Sequence, residues 1–481
     1  MKEPIIYMDS MPLRKGHFRV LAVASMGQLL GAGLATLIGI VIPMIQLVRH
    51  PELSSLMQGV LGSISLVGIT IGSLIFGRLS DKYGYLFFFR LCPVIIFCAS
   101  LLAFFVPKLP VLIISLFLMG FGIGGGYSLD SDYISEIMPN KWKLIMVGVA
   151  KASSAIGNIL VAAICYLFLT LYYDARLWNY LFLIISIFSL LMILSRIKFA
   201  QSPYWLIAHH QEKKAEAAVR YFLGPDVEVL EQKNDNSTVN HIGSHIETSE
   251  IRNRTLNSAQ KKISFSDLFR GVNLRRATLC GIPWACEGLG VYGIGVFLPI
   301  LIMALGLDPS NNLLKNLTGP ERAIEQIRTS VEITTWINFF ILPGFIIGLI
   351  LVKKVYHVKL QTWGFILCAI GLILLLIYYK FHLATWVAIT GFIIFEFFLN
   401  AGPHLMTCIL PSEIYPVADR GEGAGLAAAT GKIGAVLGVL LIPVLLSKGG
   451  IELVLIVSVV VQLTGAIITE VFGRKVLPVK Q

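Results

Sequence analysis

Charge is scarce in this sequence. Asp, Glu, Lys and Arg together make up 14% of its 481 residues, against roughly 25% in soluble domains. That leaves too little polar surface for an ordinary water-soluble fold. The phosphate-cradling pattern G-x-x-x-x-G-K-[ST] is missing, which excludes a P-loop ATP-driven pump. Nor is there a nucleophile elbow of the G-x-S-x-G kind, and the chain reads as a non-enzyme. Cysteine is sparse as well: the seven residues all fall in or at the ends of apolar runs, without metal-ligand spacing. They read as small core hydrophobes, and no metal or other cofactor is expected. No cleavable signal peptide is expected either, because the first apolar run has spanning length and lacks a small-residue cleavage site.

What the sequence has in excess is apolar side chains, 56% of the total, with a mean hydropathy of +0.77. A helix needs about 20 predominantly apolar residues to cross the ~30 Å hydrocarbon core. Twelve runs meet that length, six near 18–46, 57–79, 87–107, 110–138, 144–171 and 178–196. The other six lie near 277–304, 330–352, 360–379, 383–411, 422–447 and 450–472. The expected fold is an all-α membrane protein, with twelve transmembrane helices in two six-helix bundles. The domains are 1–197, a cytoplasmic loop with short helices at 198–276, and 277–481.

The net charge of +11 does not point to nucleic acid, because of where it lies. Most of the 39 Lys and Arg sit at the termini and in the even-numbered loops, which all share one side of a twelve-span chain. The positive-inside rule puts both termini in the cytoplasm of a multi-pass plasma-membrane protein. Within the central loop, "EQKNDNSTVN" is too polar to offset its ordering entropy by burial. "SPYWLIAHHQEKKAEAAVRYFLG" (202–224) has amphipathic helical spacing, and "SFSDLF" (264–269) opens like a helix start.

One internal echo organises the halves. "SEIMPNKWK" (135–143) follows the fourth run and "SEIYPVADR" (412–420) follows the tenth, sharing Ser, Glu, Ile and Pro in register. Repeats packed about a central axis are the architecture of alternating-access carriers, whose solute binds near mid-membrane between the halves. Then there is Lys432, alone in the apolar run "AAATGKIGAVLGVLLIPVLL" (427–446). An ionisable residue at that depth is a candidate for function and faces a wet cavity or a partner. Lys151 lies nearer a span end, where its stem reads as snorkelling to the interface.

"GRLSDKYGYLFFFR" (77–90) resembles the major facilitator loop signature G-x-L-x-D-[RK]-x-G, keeping Gly77, Leu79, Asp81, Lys82 and Gly84. "QSPYWL" (201–206) and "EVFGR" (470–474) look like sugar-porter segments. "FFLNAGPHLMTCILPSEIYPVADRGEGAGLAAATGKIGAVLG" (397–438) and "GFGIGGGYSLDSDYISE" (120–136) are similar to the phosphate:proton and metabolite:proton symporters. The resemblance implies a secondary active carrier of a small polar, anionic metabolite, proton-coupled, monomeric in the bilayer and without nucleic-acid partners. A sugar or organic-ion (nicotinate-like) carrier is the alternative, and a non-transporting sensor of the same fold is another.

The same resemblance implies site residues. Lys432 matches the family's substrate lysine, and Trp284 and Tyr292 match its aromatic pair; eight residues apart on a helix, these project within about 80° of each other. Tyr127, His404 and Gln28 complete the expected solute set. The family's acid falls at Gly288 here, with Glu287 one residue earlier, turned by about 100°. Glu287, Asp130 and Glu396 are the candidate proton-coupling acids. Asp130 also reads as the partner of a loop cation, and Glu287 as a fixed partner of Lys432. Gly126, Ser154 and His404 depart from the phosphate pattern. Arg78, Asp81, Glu136, Lys143, Glu413 and Arg420, all at helix ends, are expected to form the cytoplasmic gate.

Overall fold

The computed structural model describes residues 12–224, 269–307, 319–415 and 420–476. "EQKNDNSTVN" and nearly all of "SFSDLF" lie outside the described residues, as do the side chains of Asp81 and Arg420. The N-terminal half contains α1 (Lys15–Val48), α2 (Ser55–Tyr83), α3 (Tyr85–Phe105), α4 (Leu109–Ile137), α5 (Asn140–Tyr172) and α6 (Phe182–Arg196). A 3-10 turn, Ala175–Leu181, leads into α6. Two short helices follow, α7 (Pro203–Ala208) and α8 (Glu212–Leu223). The C-terminal half contains α9 (Gly271–Gly288), α10 (Leu298–Ala304), α11 (Gly319–Phe339), α12 (Ile341–Leu351), α13 (His357–Phe381), α14 (Thr385–Ala401), α15 (Pro403–Ile414) and α16 (Arg420–Val476).

Ten of these stretches are long and apolar enough to span, and α9 with α10 makes one more across a 66° bend. The 57-residue α16 is two spans. Unbroken it would run about 85 Å, more than twice the hydrocarbon thickness. It breaks at Gly449 and Gly450, and the φ of +64° at Gly450 is a conformation that only glycine adopts without strain. Twelve spans result among the described residues, as the apolar runs predict. The seventh begins at Gly271, earlier than its apolar run, and its centre loosens into a π-helical segment, Leu289–Ile294.

The linker helices belong to the N-terminal half. On α8 the buried residues are Ala215, Ala218, Val219, Phe222 and Leu223, one stripe at helical spacing. They pack with Val20, Phe89, Tyr133 and Phe199. Ser202 caps α7 by accepting the Trp205 N–H at 3.1 Å, and the Arg14 guanidinium donates to the Leu223 carbonyl at 3.1 Å.

Small residues let α9 approach α16 closely. A methyl group at Gly431 or Gly434 would collide with Trp284 or the Ala285 backbone, and one at Gly288 with the Gly431 carbonyl. This small-residue seam fixes the rotation of α16 and presents Lys432 to the space between the halves.

Candidate functional site

A cavity of about 950 Å³ lies between the halves. Its blind end is formed by Ala35, Thr36, Gly295 and Val296; its walls run out to Asp132, Ile145, Lys353 and Gly425 near helix ends. Beyond the blind end the halves are in tight contact. Gly39 abuts the Val296 carbonyl, Gly59 the Leu440 backbone, and Gly62 the side chains of Val439 and Phe297. At the other end the lining reaches Asp132, Lys353 and Gly425, close to helix termini, and this is the open end of the cavity.

Lys432 reaches this cavity from α16. Its Nζ sits 5.4 Å from the ring centroid of Tyr127, on α4, and 5.4 Å from that of Tyr292, in the π segment. The ammonium is framed by one aromatic face from each half. Among the described residues no carboxylate lies within 4 Å of it, so the expected Lys432–Glu287 pair is not formed. Glu287 accepts instead from His404 Nδ1, on α15; Glu287 is buried and His404 half-buried. Trp284 and Gln28 also line the cavity, as do Glu396 and Asn400. Asn400 Nδ2 donates to the backbone carbonyl of Glu396 at 2.7 Å, one helical turn away, and lies 3.5 Å from its carboxylate.

Asp130 has a different setting. Its Oδ1 accepts from Arg196 Nη2 at 2.7 Å, with both side chains almost fully buried. Arg196 also donates to the Phe89 carbonyl at 2.8 Å and lies 3.6 Å over the Phe89 ring. The second oxygen, Oδ2, is buried at the cavity wall against Gly27, without a hydrogen-bond partner among the described residues. The partner is thus a cation at the end of a span, counted from the sequence as an ordinary loop charge. Its 0% exposure is what the sequence did not signal.

Lys151 corrects a second reading. It does not snorkel; α5 packs against the C-terminal half, and Lys151 lines the cavity. Its Nζ donates to the His404 carbonyl at 2.6 Å and to Cys408 Sγ at 2.9 Å. The snorkelling reading failed because the face of α5 that carries Lys151 meets α15 and not an interface.

The helix-end charges are not gathered at one point. Glu136 accepts from Ser202, next to α7. Glu413 accepts from His357 Nδ1 at 2.8 Å, while His357 Nε2 faces the Val352 carbonyl at 2.9 Å. Arg78 is exposed and Lys143 half-buried. Across the closed end, Arg328 on α11 pairs with Glu325 and donates to the Tyr166 hydroxyl of α5 at 3.2 Å.

Comparison with known proteins agrees with this geometry. Residues 32–473 match the family described as sugar (and other) transporter. The chain is 26% identical over 475 residues to the inner membrane metabolite transport protein YgcS of Escherichia coli K12, covering 98% of this chain and 95% of that one. It is 24% identical over 423 residues to the inorganic phosphate transporter PHO84 of Saccharomyces cerevisiae, covering 81% and 68%. Among solved structures, XylE, a proton:xylose symporter of the major facilitator superfamily bound to 6-bromo-6-deoxy-D-glucose, matches with a TM-score of 0.69 at 18% identity over 96% of each chain. A partially occluded inward open XylE from E. coli matches with a TM-score of 0.70, at 18% identity over 96% of this chain and 100% of that one.

Proposed function

Since the chain belongs to the sugar (and other) transporter family, a multi-pass major facilitator transporter and not an enzyme, we propose that it carries a small anionic metabolite by alternating access, coupled to protons. One observation supports the anion above others: the Lys432 ammonium, between Tyr127 of one half and Tyr292 of the other, has no carboxylate beside it among the described residues. A cation held at such depth without a counter-ion is costly, and an incoming anion relieves that cost. Because its two rings come from different halves, a solute bound there touches both moving parts.

The coupling pair is Glu287 with His404. A carboxylate and an imidazole in contact exchange a proton readily, and both lie on the cavity wall beside the solute position. Glu396 and Asp130 are the further acids of the same wall. In this reading the open end of the cavity faces the cytoplasm, as do both termini, and the carrier works as a monomer in the plasma membrane. The two rocking bodies are the bundles 1–197, with α7 and α8 packed on it, and 277–481 with the start of α9, and the rest of 198–276 joins them. In the opposite state, Arg78, Asp81, Glu136, Lys143, Glu413 and Arg420 close the cytoplasmic end.

Sugar carriage is the second reading, favoured by the uncharged polar side chains Gln28, Asn158, Asn338 and Asn400 on the same wall. A thermal-shift screen of the purified protein separates the two. Metabolite anions are expected to stabilise the wild type, and Lys432→Ala to weaken them by about tenfold or more, the worth of a charge-assisted hydrogen bond. Stabilisation by neutral sugars alone defeats the anionic reading. Counterflow in proteoliposomes distinguishes a carrier from a sensor. Glu287→Gln is expected to abolish proton-driven accumulation while counterflow persists; unchanged accumulation removes Glu287 from the coupling.

A further inference from the structure

We propose that the transported solute carries two anionic groups, one for the ammonium of Lys432 and the other for that of Lys151. This rests on the anionic reading above and narrows it to a class, the dicarboxylates and their relatives.

The argument is an account of charge around one cavity. Lys432 enters from the C-terminal half and Lys151 from the N-terminal half, and both are half-buried. The partners of Lys432 are two neutral rings. Those of Lys151 are a backbone carbonyl and the Cys408 sulfur, also neutral acceptors. Among the described residues, neither ammonium has a carboxylate within 4 Å. The acids of the same wall are directed elsewhere: Glu287 to His404, Asp130 to Arg196 and Glu396 towards Asn400. Asp132 and Lys353 lie at the outer part of the wall; when the Glu287–His404 pair and Glu396 hold the coupling protons proposed above, the ammoniums of Lys432 and Lys151 face one low-dielectric space without matched anions.

A monoanion compensates one of them and leaves the other exposed to the same penalty. A solute with two anionic ends compensates both. Lys151 has three N–H donors, of which the carbonyl takes one and the thiol, a weak acceptor, takes another. A carboxylate replaces the thiol at small cost. The two lysines also belong to different halves, so such a solute draws the halves together on binding. A monoanion held by Lys432 alone forms no contact with Lys151. Selection is then made on closure as well as on affinity.

The test uses the purified full-length protein and a panel of four- to six-carbon dicarboxylates, each against its monomethyl ester, which keeps size and removes one charge. Thermal shift is expected to give apparent affinities about tenfold higher for the diacids. Lys151→Gln removes that preference, and Lys151→Arg keeps it. Equal affinity for diacid and ester, or a preference that survives in Lys151→Gln, overturns the proposal. Should Lys151→Gln fail to fold, Cys408 reports without any change at either lysine. In a Cys98→Ala background, diacids are expected to slow maleimide labelling of Cys408 and esters to leave it unchanged; equal protection again overturns the proposal. If monoacids bind and no diacid binds better, only this inference fails. If neutral sugars bind and no anion does, the anionic reading fails first and takes this one with it.

Discussion

The two ends of this molecule are built on different principles. At the closed end a single apolar core runs through both halves, with Ile38, Val41 and Met44 of α1 packed among Phe297, Leu301, Val439 and Ile442. At the open end the core is two cores. One gathers Val20, Phe89, Tyr133 and Phe222; the other gathers Leu279, Met406, Leu410 and Tyr415. Apolar burial is non-directional and grows with area. Charged groups at helix ends contribute ~0–1 kcal/mol each when exposed. The closed end is thus held by many small contacts that all break together, whereas in the proposed gate charged pairs close the other end piecemeal. Such an inequality sets which of two states a carrier rests in when nothing is bound.

The comparison can be broken at its most buried point. Arg196→Met strands Asp130 within the N-terminal core, and a buried pair that loses one partner costs about 3–5 kcal/mol. A large drop in the thermal midpoint is expected, with much of it restored in Asp130→Leu/Arg196→Met. A single variant as stable as the wild type would mean that the pair is not buried. The closed end comes next. Gly39→Leu drives a side chain into the Val296 backbone, and overpacking of this kind costs about 1–3 kcal/mol. Because the carrier's states differ by only a few kcal/mol, counterflow is expected to fall by about ten- to a hundredfold, as the closed end is wedged apart. Undiminished counterflow would show that this contact need not form. The finest probe is Tyr166→Phe, which removes the hydroxyl accepting from Arg328. The expected loss is about 1 kcal/mol or less, read as a small change in uptake rate; a large one would make this bond, and not apolar packing, the principal lock of the closed end.

The fold was legible because lipid imposes a length. Runs of spanning length predict the twelve crossings, and the "SEI" echo aligns the halves. Edges were less legible where a helix carries polar residues past its apolar run, as at Gly271–Leu274 and Gly319–Val331. Lys432 stood out because nothing else in 427–446 is charged. Trp284, Tyr292 and Tyr127 came from the resemblance, and they line the same cavity. Lys151 was misread and Arg196 missed for one reason: their distance from a span end says how far they are from water along the helix, but not what packs across from them. The available signal was a matched depth. Asp130 lies about two turns from the end of its helix and Arg196 at the end of its own, so opposite charges fall near one level in neighbouring spans. Glu287 was found, but its partner was not, because a shift of one residue turns a side chain by about 100° and no sequence pattern says which neighbour then receives it.

The break at Gly449 and Gly450 is only two residues long. So short a link keeps the end of the lysine-bearing stretch of α16 beside the start of the stretch that follows it, while its two glycines leave the angle between them free to change. That second stretch presents Val460, Ile467 and Val471 outward, all well exposed. The cation at the centre and an oily flank at the periphery thus belong to consecutive spans that share one glycine joint.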